Sequence, residues 1–327
     1  MNRLDSYWNN YNAVAIVLWP ISLVFHLLAW MRRCAYRIGL FKQHKLPVPV
    51  IVVGNISVGG TGKTPLVIWL AEHLKALGYT PGIVARGYGA KIGKTPREVT
   101  PESCAEEVGD EPLLISRRTG CPMFVAPNRV AAARALLEKS DCNVIISDDG
   151  MQHYALGRDI EIAVVDGSRR FGNGCCLPAG PLREPVSRLA TVDLVIVNGE
   201  SASGEHSMQA AIGKVVNLRN PELTHNLEDF SGEQVHALAG IGNPQRFFQL
   251  LKEYDLQSIE WAFPDHHQFE KADITPDDEL PVFMTEKDAV KCSHFAQPRH
   301  WYLPIDVNVD SAFSNRLAEL LRGLKRG

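Results

Sequence analysis

The chain has 327 residues, a formal net charge of −3 at pH 7 and 22% charged residues. A chain of this length can fold as two ordinary domains, each with its own hydrophobic core. A nearly neutral charge provides no basic field, so we expect no nucleic-acid partner. The seven cysteines form no C-x-x-C pair and no Cys/His zinc spacing. This pattern argues against a structural metal and fits a protein of a reducing cytosol.

The first 45 residues contain the most apolar segment of the chain. Between Ala13 and Met31 the only clearly polar side chains are Ser22 and His26. This length is close to the roughly 20 apolar residues that span a bilayer core. Aromatic residues flank the segment, as they do at membrane interfaces, at positions 7, 8, 11, 30 and 36. Residues 1–45 are therefore predicted to form a membrane-associated helical segment.

The charges beside this segment indicate its orientation but leave its depth open. Arg32, Arg33 and Arg37 follow it, and positive charge marks the cytoplasmic side of a membrane segment. A cleaved signal peptide is disfavoured, because its basic residues would come first. Three alternatives remain, namely a spanning anchor, a helix lying in the interface and a buried core helix. Pro20 would kink a helix, which membranes tolerate. The pattern favours membrane association without choosing between spanning and interfacial placement.

Residues 54–64 form a glycine-rich motif between an apolar run (48–53) and a helical pattern (65–71). Glycines let backbone N–H groups wrap phosphates, and a helix N-terminus adds partial positive charge. Lys63 is expected to reach the β- and γ-phosphates of a nucleoside triphosphate, and the Thr64 hydroxyl to hold Mg²⁺. Ser57 departs from the pattern G-x-x-x-x-G-K-[ST], and the alternative is an ordinary turn with a chance Lys-Thr pair. The predicted nucleotide contacts here are Gly59, Gly60, Thr61, Gly62, Lys63 and Thr64.

Apolar strand-like runs alternate with helical stretches along the rest of the chain. This alternation predicts an α/β fold with a mostly parallel sheet, in which ligands bind beyond the carboxyl ends of the strands. We predict a P-loop core over residues 46–165 and a second, smaller α/β lobe over residues 166–327 that completes a cleft. A long loop, 167–188, is rich in Gly, Pro and Arg, and long loops are more often functional than idle. Later strands are predicted at 192–197, 235–239, 259–263, 282–285 and 300–304, and helices at 244–254 and 312–324.

Asp148 and Asp149 close an apolar strand downstream of the glycine-rich motif. Carboxylates at this position can hold Mg²⁺ beside the phosphates, directly or through water. The alternative is a turn, since Asp favours turns and Gly150 follows. Gln152 and His153 lie on the same loop and are expected to face the cleft.

Asp110 and Glu111 precede Pro112 in a second acidic pair. An ordinary explanation is a helix start, with the proline just inside the helix. The functional alternative makes Asp110 a base for an acceptor hydroxyl, and the spacing alone does not decide. An Asp265-His266 pair follows a predicted strand and is a candidate acid or base of the same cleft.

The long loop carries several arginines, among them Arg169, Arg170 and Arg183. Guanidinium groups match phosphate oxygens, so these residues could contact ATP or a phosphorylated acceptor. The alternative is a solvated basic loop. Thr285-Glu286-Lys287-Asp288 ends a predicted strand and is similar to the base-reading tetrads of P-loop proteins, although an ordinary polar turn explains it too.

Taken together, these motifs resemble the tetraacyldisaccharide 4′-kinases, the lipid A 4′-kinases of bacteria that make lipopolysaccharide. The resemblance covers nearly the whole chain, and the order and spacing of the motifs carry it. The family accepts a hydroxyl residue at the position of Ser57. The matching strings are the apolar N-terminus, 53–55, 59–65, 86–89, 109–112, 148–153, 170–174, 177–181, 265–266 and 285–288.

The resemblance implies transfer of the γ-phosphate of ATP to the 4′-hydroxyl of a tetraacylated disaccharide 1-phosphate, giving lipid IVA. It also implies a Mg²⁺ requirement and a location at the cytoplasmic face of the bacterial inner membrane. We predict no protein partner. Asp110 is implied as the catalytic base, with His266 as its partner. The remaining predicted roles are catalytic for Lys63 and Arg170, metal-binding for Thr64, Asp148, Asp149 and Glu111, nucleotide-binding for Glu286, Lys287 and Asp288, and substrate-binding for Asn173, Gln152, His153 and Arg183.

Two alternative functions remain open at this point. One is a non-enzymatic P-loop switch or a membrane-bound ATPase that drives a partner, and its hydrolysis would not respond to the lipid acceptor. The other is a P-loop kinase for a soluble metabolite, against which the apolar N-terminus argues.

Overall fold

The computed structural model describes residues 7–90 and 92–324 and contains two β-sheets with helices packed against them. Residues 1–6, 91 and 325–327, which the predicted ranges include, lie outside the described residues. The strands are β1 Val50–Gly54, β2 Pro81–Ala85, β3 Arg97–Val99, β4 Met123–Val125, β5 Val144–Ser147, β6 Ile160–Asp166, β7 Leu194–Asn198, β8 His206–Ile212, β9 Val215–Asn217, β10 Thr224–His225, β11 Gln234–Ala239, β12 Gln257–Ala262, β13 Val282–Thr285, β14 His300–Leu303 and β15 Ile305–Val309.

The α-helices are fewer and vary widely in length. They are α1 Ala13–Arg37, α2 Lys63–Ala76, α3 Ala105–Val108, α4 Asp110–Thr119, α5 Arg129–Lys139, α6 Pro244–Glu253, α7 Glu286–Cys292 and α8 Ser311–Leu324. Short 3-10 helices lie at Val186–Thr191, Leu227–Phe230, Lys271–Ile274 and Ser293–Phe295.

The nine-stranded sheet has the order β15-β8-β7-β6-β1-β5-β2-β4-β3. Its seven inner strands are parallel, and the two edge strands, β15 and β3, are antiparallel to their neighbours. In β1, Ile51 and Val53 face a core that α2, α4 and α8 cover, whereas Val50 and Val52 face a second core that includes α5. Because both faces are buried, β1 is apolar at every position, as parallel sheets require. The predicted α/β fold is confirmed.

The six-stranded sheet has the order β10-β9-β14-β13-β11-β12. Strands β12, β11, β13 and β14 are parallel, and β9 and β10 continue the sheet in antiparallel pairing. Its cores contain Phe248 and Phe283, which are almost completely buried. We call the part of the chain that carries this sheet, residues 215–303, the small lobe, and residues 46–212 with 305–324 the large lobe.

The sheets do not divide the chain at residue 165, where the sequence suggested a domain boundary. Strands β7, β8 and β15 pair within the nine-stranded sheet, and α8 packs against its core. The alternation of apolar runs continues through β7 without a break, so no sequence signal marked the boundary. The chain leaves the large lobe after β8 and returns to it at β15.

Helix α1 lies on the surface of the large lobe and exposes most of its apolar side chains. Asn12 caps its first turn by accepting a hydrogen bond from the Ala15 N–H at 3.0 Å. Ser22 Oγ, near the middle of the helix, donates to the Cys176 carbonyl at 2.6 Å. Of the 25 residues of α1 only Ala15, Ser22 and Ala35 are buried, so the alternative of a buried core helix is wrong.

The buried His300 links the stability of the small lobe to pH. It opens β14 with none of its surface exposed, and its Nδ1 accepts from the Gln297 N–H at 3.2 Å. Burial, reinforced by Arg299, lowers the pKa of His300 from 6.5 to about 4. The unfolded chain therefore binds more protons between these values, and stability falls as the pH drops from 6.5 towards 4. We expect the melting temperature of His300→Gln to depend less on pH in this range, and an equal slope for both proteins would contradict this.

Candidate active site

The glycine-rich motif joins β1 to α2 and places Lys63 at the first turn of that helix. Gly62 caps the helix with φ 89°, a conformation that a side chain would strain. Lys63 Nζ lies 3.5 Å from Asp149 Oδ1 at the end of the neighbouring strand, β5. The motif and the first acidic pair therefore meet at the carboxyl edge of the large sheet, where parallel sheets bind ligands.

The motif is held from the side by the long loop of residues 167–188. The Val58 N–H donates to the Pro181 carbonyl at 2.8 Å, and Ser57 forms an isolated antiparallel bridge with Leu182. Ser57 is buried and is not among the residues with positive φ. The position therefore needs no glycine, which explains why the departure from the sequence pattern is tolerated.

Asp149 forms ion pairs with two cationic side chains near the end of β5. Arg183 Nη1 lies 3.1 Å from Asp149 Oδ2, opposite Lys63. Burial alone would raise the pKa of Asp149, but Lys63 and Arg183 outweigh it and hold the pKa below its usual value. Arg129, which no sequence motif marked, donates from Nη2 to the Asp149 carbonyl at 2.6 Å and supports this turn. Its position in α5 offered no local signal.

Asp148 is buried, and its Oδ1 has no hydrogen-bond partner among the described residues. Burial, together with the nearby charges of Glu111 and Asp149, raises the pKa of Asp148 to about 7. An unpartnered carboxylate oxygen facing other carboxylates is the environment that a cation relieves. No group of three or more His, Cys, Asp and Glu side chains forms a complete metal cage within the described part of the chain. Mg²⁺ typically uses one or two carboxylates plus phosphates and water, so these residues fit it.

Asp110 and His266 come together from the two lobes. His266 Nδ1 lies 3.1 Å from Asp110 Oδ2, and Asp110 is 5% exposed. Burial alone would raise the pKa of Asp110, but the His266 hydrogen bond and the charge of Lys287 lower it below its usual value. The same hydrogen bond raises the pKa of His266. Gly109, with φ 97°, lets the chain turn so that Asp110 starts α4 beside the small lobe.

Two adjacent arginines of the long loop have different partners. Arg169 Nη2 donates to the Gly60 carbonyl of the glycine-rich motif at 2.6 Å. Arg170 instead forms a two-point ion pair with Glu205, at 2.8 and 2.7 Å. Arg170 does not contact the glycine-rich motif in this arrangement, and its catalytic role stays a prediction, whereas Arg169 and Arg183 lie against the motif and the acidic turn. The sequence named both neighbours as cations of the loop but could not tell which one turns inward.

The predicted substrate-binding residues fall into two groups. Asn173 is buried and braces the long loop, with Nδ2 donating to the Ala179 carbonyl at 2.8 Å, so a substrate contact does not fit it. Gln152 Nε2 donates to the Asn55 carbonyl at 3.0 Å and to Glu184 Oε2 at 3.1 Å. His153 is partly buried, its Nε2 lacks a partner among the described residues, and burial with nearby arginines lowers its pKa to about 4. A neutral His153 can accept a hydrogen bond.

Most side chains of the tetrad, residues 285–288, form structural contacts within the protein. Glu286 accepts two hydrogen bonds from Arg118 Nη1, at 3.0 and 2.9 Å. Asp288 is fully buried and accepts from the Gly240 N–H at 2.9 Å and from Thr285 Oγ1 at 2.6 Å. Both carboxylates are occupied, so the nucleotide contacts predicted for Glu286 and Asp288 do not fit. Lys287 points instead towards Asp110, with Nζ 3.7 Å from its Oδ2.

Comparison with known proteins gives one consistent family. The family model described as tetraacyldisaccharide-1-P 4′-kinase (LpxK) matches residues 14–322. A tetraacyldisaccharide 4′-kinase from Nitrosococcus oceani is 51% identical over 316 residues, which cover 97% of this chain and 93% of that relative. One from Methylobacillus flagellatus is 49% identical over 326 residues, covering 99% and 97%.

A solved structure extends the comparison to three dimensions. The crystal structure of LpxK from Aquifex aeolicus, described as a complex with ATP, matches this structure with a TM-score of 0.79. The two chains are 28% identical, and the match covers 94% of this chain and 99% of that one. On the sequence match and the shared fold together, the chain belongs to the tetraacyldisaccharide-1-P 4′-kinase family.

Proposed function

We propose that this protein transfers the γ-phosphate of ATP to the 4′-hydroxyl of a tetraacyldisaccharide 1-phosphate, forming lipid IVA. The observation that carries the proposal is the meeting of two half-sites. Lys63 and Asp149 lie at the glycine-rich motif, and Asp110 pairs with His266 across the lobes. Helices α2 and α4, which begin at Lys63 and Asp110, pack in one core, and Lys75 at the end of α2 donates to the Thr119 carbonyl at the end of α4. The two helices therefore start on the same side of the sheet, and the two half-sites are neighbours. The family membership and the ATP complex of the Aquifex aeolicus relative support the same activity.

Phosphoryl transfer depends on positioning and charge neutralisation more than on covalent help. Lys63, at the N-terminus of α2, neutralises charge on the transferring group, and Arg169 and Arg183 border the same space. Asp110 accepts the proton of the acceptor hydroxyl as the hydroxyl oxygen attacks the γ-phosphorus, the bond from that phosphorus to the β,γ-bridging oxygen breaks, and ADP leaves. His266 holds the carboxylate in place through Nδ1 and stabilises the proton that arrives there.

Thr64, Asp148, Asp149 and Glu111 are proposed to surround a Mg²⁺ ion, and the unpartnered Asp148 Oδ1 supports this set. Glu111 Oε1 already accepts from Lys287, so Glu111 would contribute its other carboxylate oxygen. The bound ion supplies neutralisation of phosphate charge. Gln152, tied to Asn55 and Glu184, keeps the acidic turn aligned with the glycine-rich motif. His153 and Arg183 are proposed to contact the acceptor.

The membrane segment is proposed to lie in the interface rather than to span the bilayer. The middle of α1 is hydrogen-bonded to the large lobe through Ser22, and Arg33 Nη2 donates to Thr191 Oγ1 at 2.7 Å near its end. A helix that is hydrogen-bonded to a folded lobe at its middle and near its end cannot cross a bilayer, because the polar surface of that lobe would have to enter the hydrocarbon core. Its outer face exposes Val17 by 75% and Val24 by 57%, and this face can enter the lipid.

This placement brings the protein to its acceptor. Arg32 and Arg33 at the end of α1 favour the anionic cytoplasmic leaflet. The proposed location is therefore the cytoplasmic face of the inner membrane, where the acyl chains of the acceptor can stay in the bilayer while its sugar enters the site.

Two aspartates on the outer face of α1 should abolish most membrane binding. We expect Val17→Asp/Val24→Asp to lower the vesicle partition coefficient at least about tenfold, because each buried valine contributes roughly 1.5–3 kcal/mol. Sedimentation with vesicles of mixed neutral and anionic lipid measures this. Leu223→Asp, at an apolar residue of the small lobe that is 42% exposed, is the matched control and should bind as wild type. Equal binding by all three proteins would contradict the interfacial helix, and resistance of wild-type protein to alkaline carbonate extraction would favour spanning.

The function is tested with Mg²⁺, ATP and a panel of acceptors. Wild-type protein should phosphorylate the detergent-dispersed tetraacyldisaccharide 1-phosphate and should show little ATP hydrolysis without it. Hydrolysis that does not respond to the lipid would support a membrane-bound ATPase instead. Equal transfer to the fully deacylated, soluble disaccharide would support a kinase for a soluble metabolite.

A further inference from the structure

Lys287 is partly buried and lies between three carboxylates from both lobes. Its Nζ is 3.0 Å from Glu111 Oε1, 3.4 Å from Asp265 Oδ1 and 3.7 Å from Asp110 Oδ2. Its side chain is 18% exposed. The ammonium donates hydrogen bonds to Glu111 and Asp265, and Asp110 lies within ion-pair distance of it. Lys287 therefore faces protein carboxylates, where the sequence predicted a nucleotide contact.

The rest of the tetrad fixes the direction of Lys287. Thr285 Oγ1 caps α7 by accepting from the Asp288 N–H at 3.2 Å, and Asp288 ties this turn to the Gly240 N–H. Glu286, on the other side, pairs with Arg118 of α4. With the start of α7 anchored to the small-lobe sheet and to α4, the side chain between these anchors extends to Asp110. The contacts of the tetrad therefore fix the direction of the Lys287 side chain.

The charged groups around Asp110 indicate the role of the Lys287 ammonium. Glu111 of its own helix is negative, as is Asp265 of the loop after β12. The positive groups are His266 of that loop, when protonated, and Lys287 and Lys291 of α7, with Lys287 acting more strongly than Lys291. Without Lys287 the carboxylates of both lobes would face one another with one fewer counter-charge, and like charges at this distance repel.

We infer that Lys287 is a positioning residue of the phosphoryl-transfer site, which holds Asp110 and the His266 loop together across the two lobes, and that it does not bind nucleotide. The inference rests on the proposed role of Asp110 as the base. Lys287 acts through Asp110, so its loss moves the base away from the acceptor hydroxyl while the glycine-rich motif is untouched.

The test compares Lys287→Met and Lys287→Arg with wild type. A misplacement of about 1 Å can cost about 10²-fold in rate, so Lys287→Met should lower kcat by about that factor. The KM for ATP and the affinity for a fluorescent ATP analogue should stay within about threefold of wild type. Lys287→Arg keeps the charge and should recover at least about tenfold of the lost kcat. Lys252→Met, which removes an exposed ion pair with Glu260 in the small lobe, is the matched control and should keep wild-type kcat.

A double-mutant cycle separates positioning from general loss of structure. In an Asp110→Asn background, Lys287→Met should lower kcat by less than about threefold, because residues that act as one unit are not additive. A full, additive loss in that background would overturn the inference. So would an unchanged kcat in Lys287→Met, or a rise of tenfold or more in the KM for ATP with kcat intact. If Lys287→Met does not fold, the test uses Lys287→Arg instead. A folded Lys287→Arg whose kcat is no higher than that of Asp110→Asn would also overturn the inference. Absence of transfer by wild-type protein would instead refute the proposed function itself.

Discussion

Replacing Asp110 by asparagine should lower kcat by about 10²- to 10⁴-fold, the usual contribution of a general base. Asparagine keeps the size of the side chain and can still face His266, but it cannot accept the hydroxyl proton. ATP binding should change by less than about threefold, because the glycine-rich motif and Lys63 are untouched. Steady-state transfer to the lipid acceptor, with ATP affinity measured separately, checks both halves of this expectation.

A second Asp–His pair in the small lobe provides the control. Asp278 Oδ2 lies 2.9 Å from His236 Nε2, outside the proposed site. Asp278→Asn should therefore keep wild-type kcat. If Asp110→Asn and Asp278→Asn had the same kcat, Asp110 would not be the base, whatever its position between the lobes.

Replacing Lys63 by methionine should reduce kcat by at least about 10²- to 10³-fold, the loss expected when one group that stabilises transition-state charge is removed. The physical reason is the position of Lys63 at the N-terminus of α2, 3.5 Å from Asp149. ATP binding should weaken as well, which distinguishes this variant from Asp110→Asn. Single-turnover transfer and titration with a fluorescent ATP analogue measure the two effects.

Lys75, in the last turn of the same helix, is the matched control for Lys63. It pairs with Glu72 on the surface at 2.9 Å and donates to the Thr119 carbonyl at the end of α4, far along the helix from the glycine-rich motif. Lys75→Met removes the same charge from the same helix and should leave kcat within about twofold of wild type. Comparable losses in both variants would mean that net charge, and not the position of Lys63, is what matters.

The sequence predicted the parts of the site whose structure depends on short, continuous segments of the chain. A strand, a glycine-rich turn and a helix are encoded within residues 48–71, so the glycine-rich motif was found directly. The ends of parallel strands share one edge of a sheet, which is why Asp149 could be placed beside it. The helix start at Asp110 also followed from local chemistry, through Pro112 in the first turn.

Other parts depend on packing between distant segments and had no local signal. Strands β8 and β15 join the large sheet although nearly a hundred residues separate them, so the boundary expected at 165 did not match the sheets. Whether Arg169 or Arg170 contacts the glycine-rich motif depends on partners in distant segments, Gly60 for Arg169 and Glu205 for Arg170. The target of Lys287 depends on how α7 docks against α4. The tetrad resembled a base-reading motif in sequence, but its carboxylates, Glu286 and Asp288, are hydrogen-bonded to Arg118 and to the Gly240 N–H.

The most direct test of the proposed activity is the position of the transferred phosphate. Wild-type protein is incubated with Mg²⁺, γ-labelled ATP and the tetraacyldisaccharide 1-phosphate in detergent, and the lipid product is isolated and analysed by phosphorus–proton correlation NMR. We predict a single new phosphate monoester on the 4′-oxygen, carrying the label, with the 1-phosphate unchanged. A label that appears only in free phosphate, or at any other position of the lipid, would contradict the reaction that Lys63, Asp110 and His266 are proposed to catalyse.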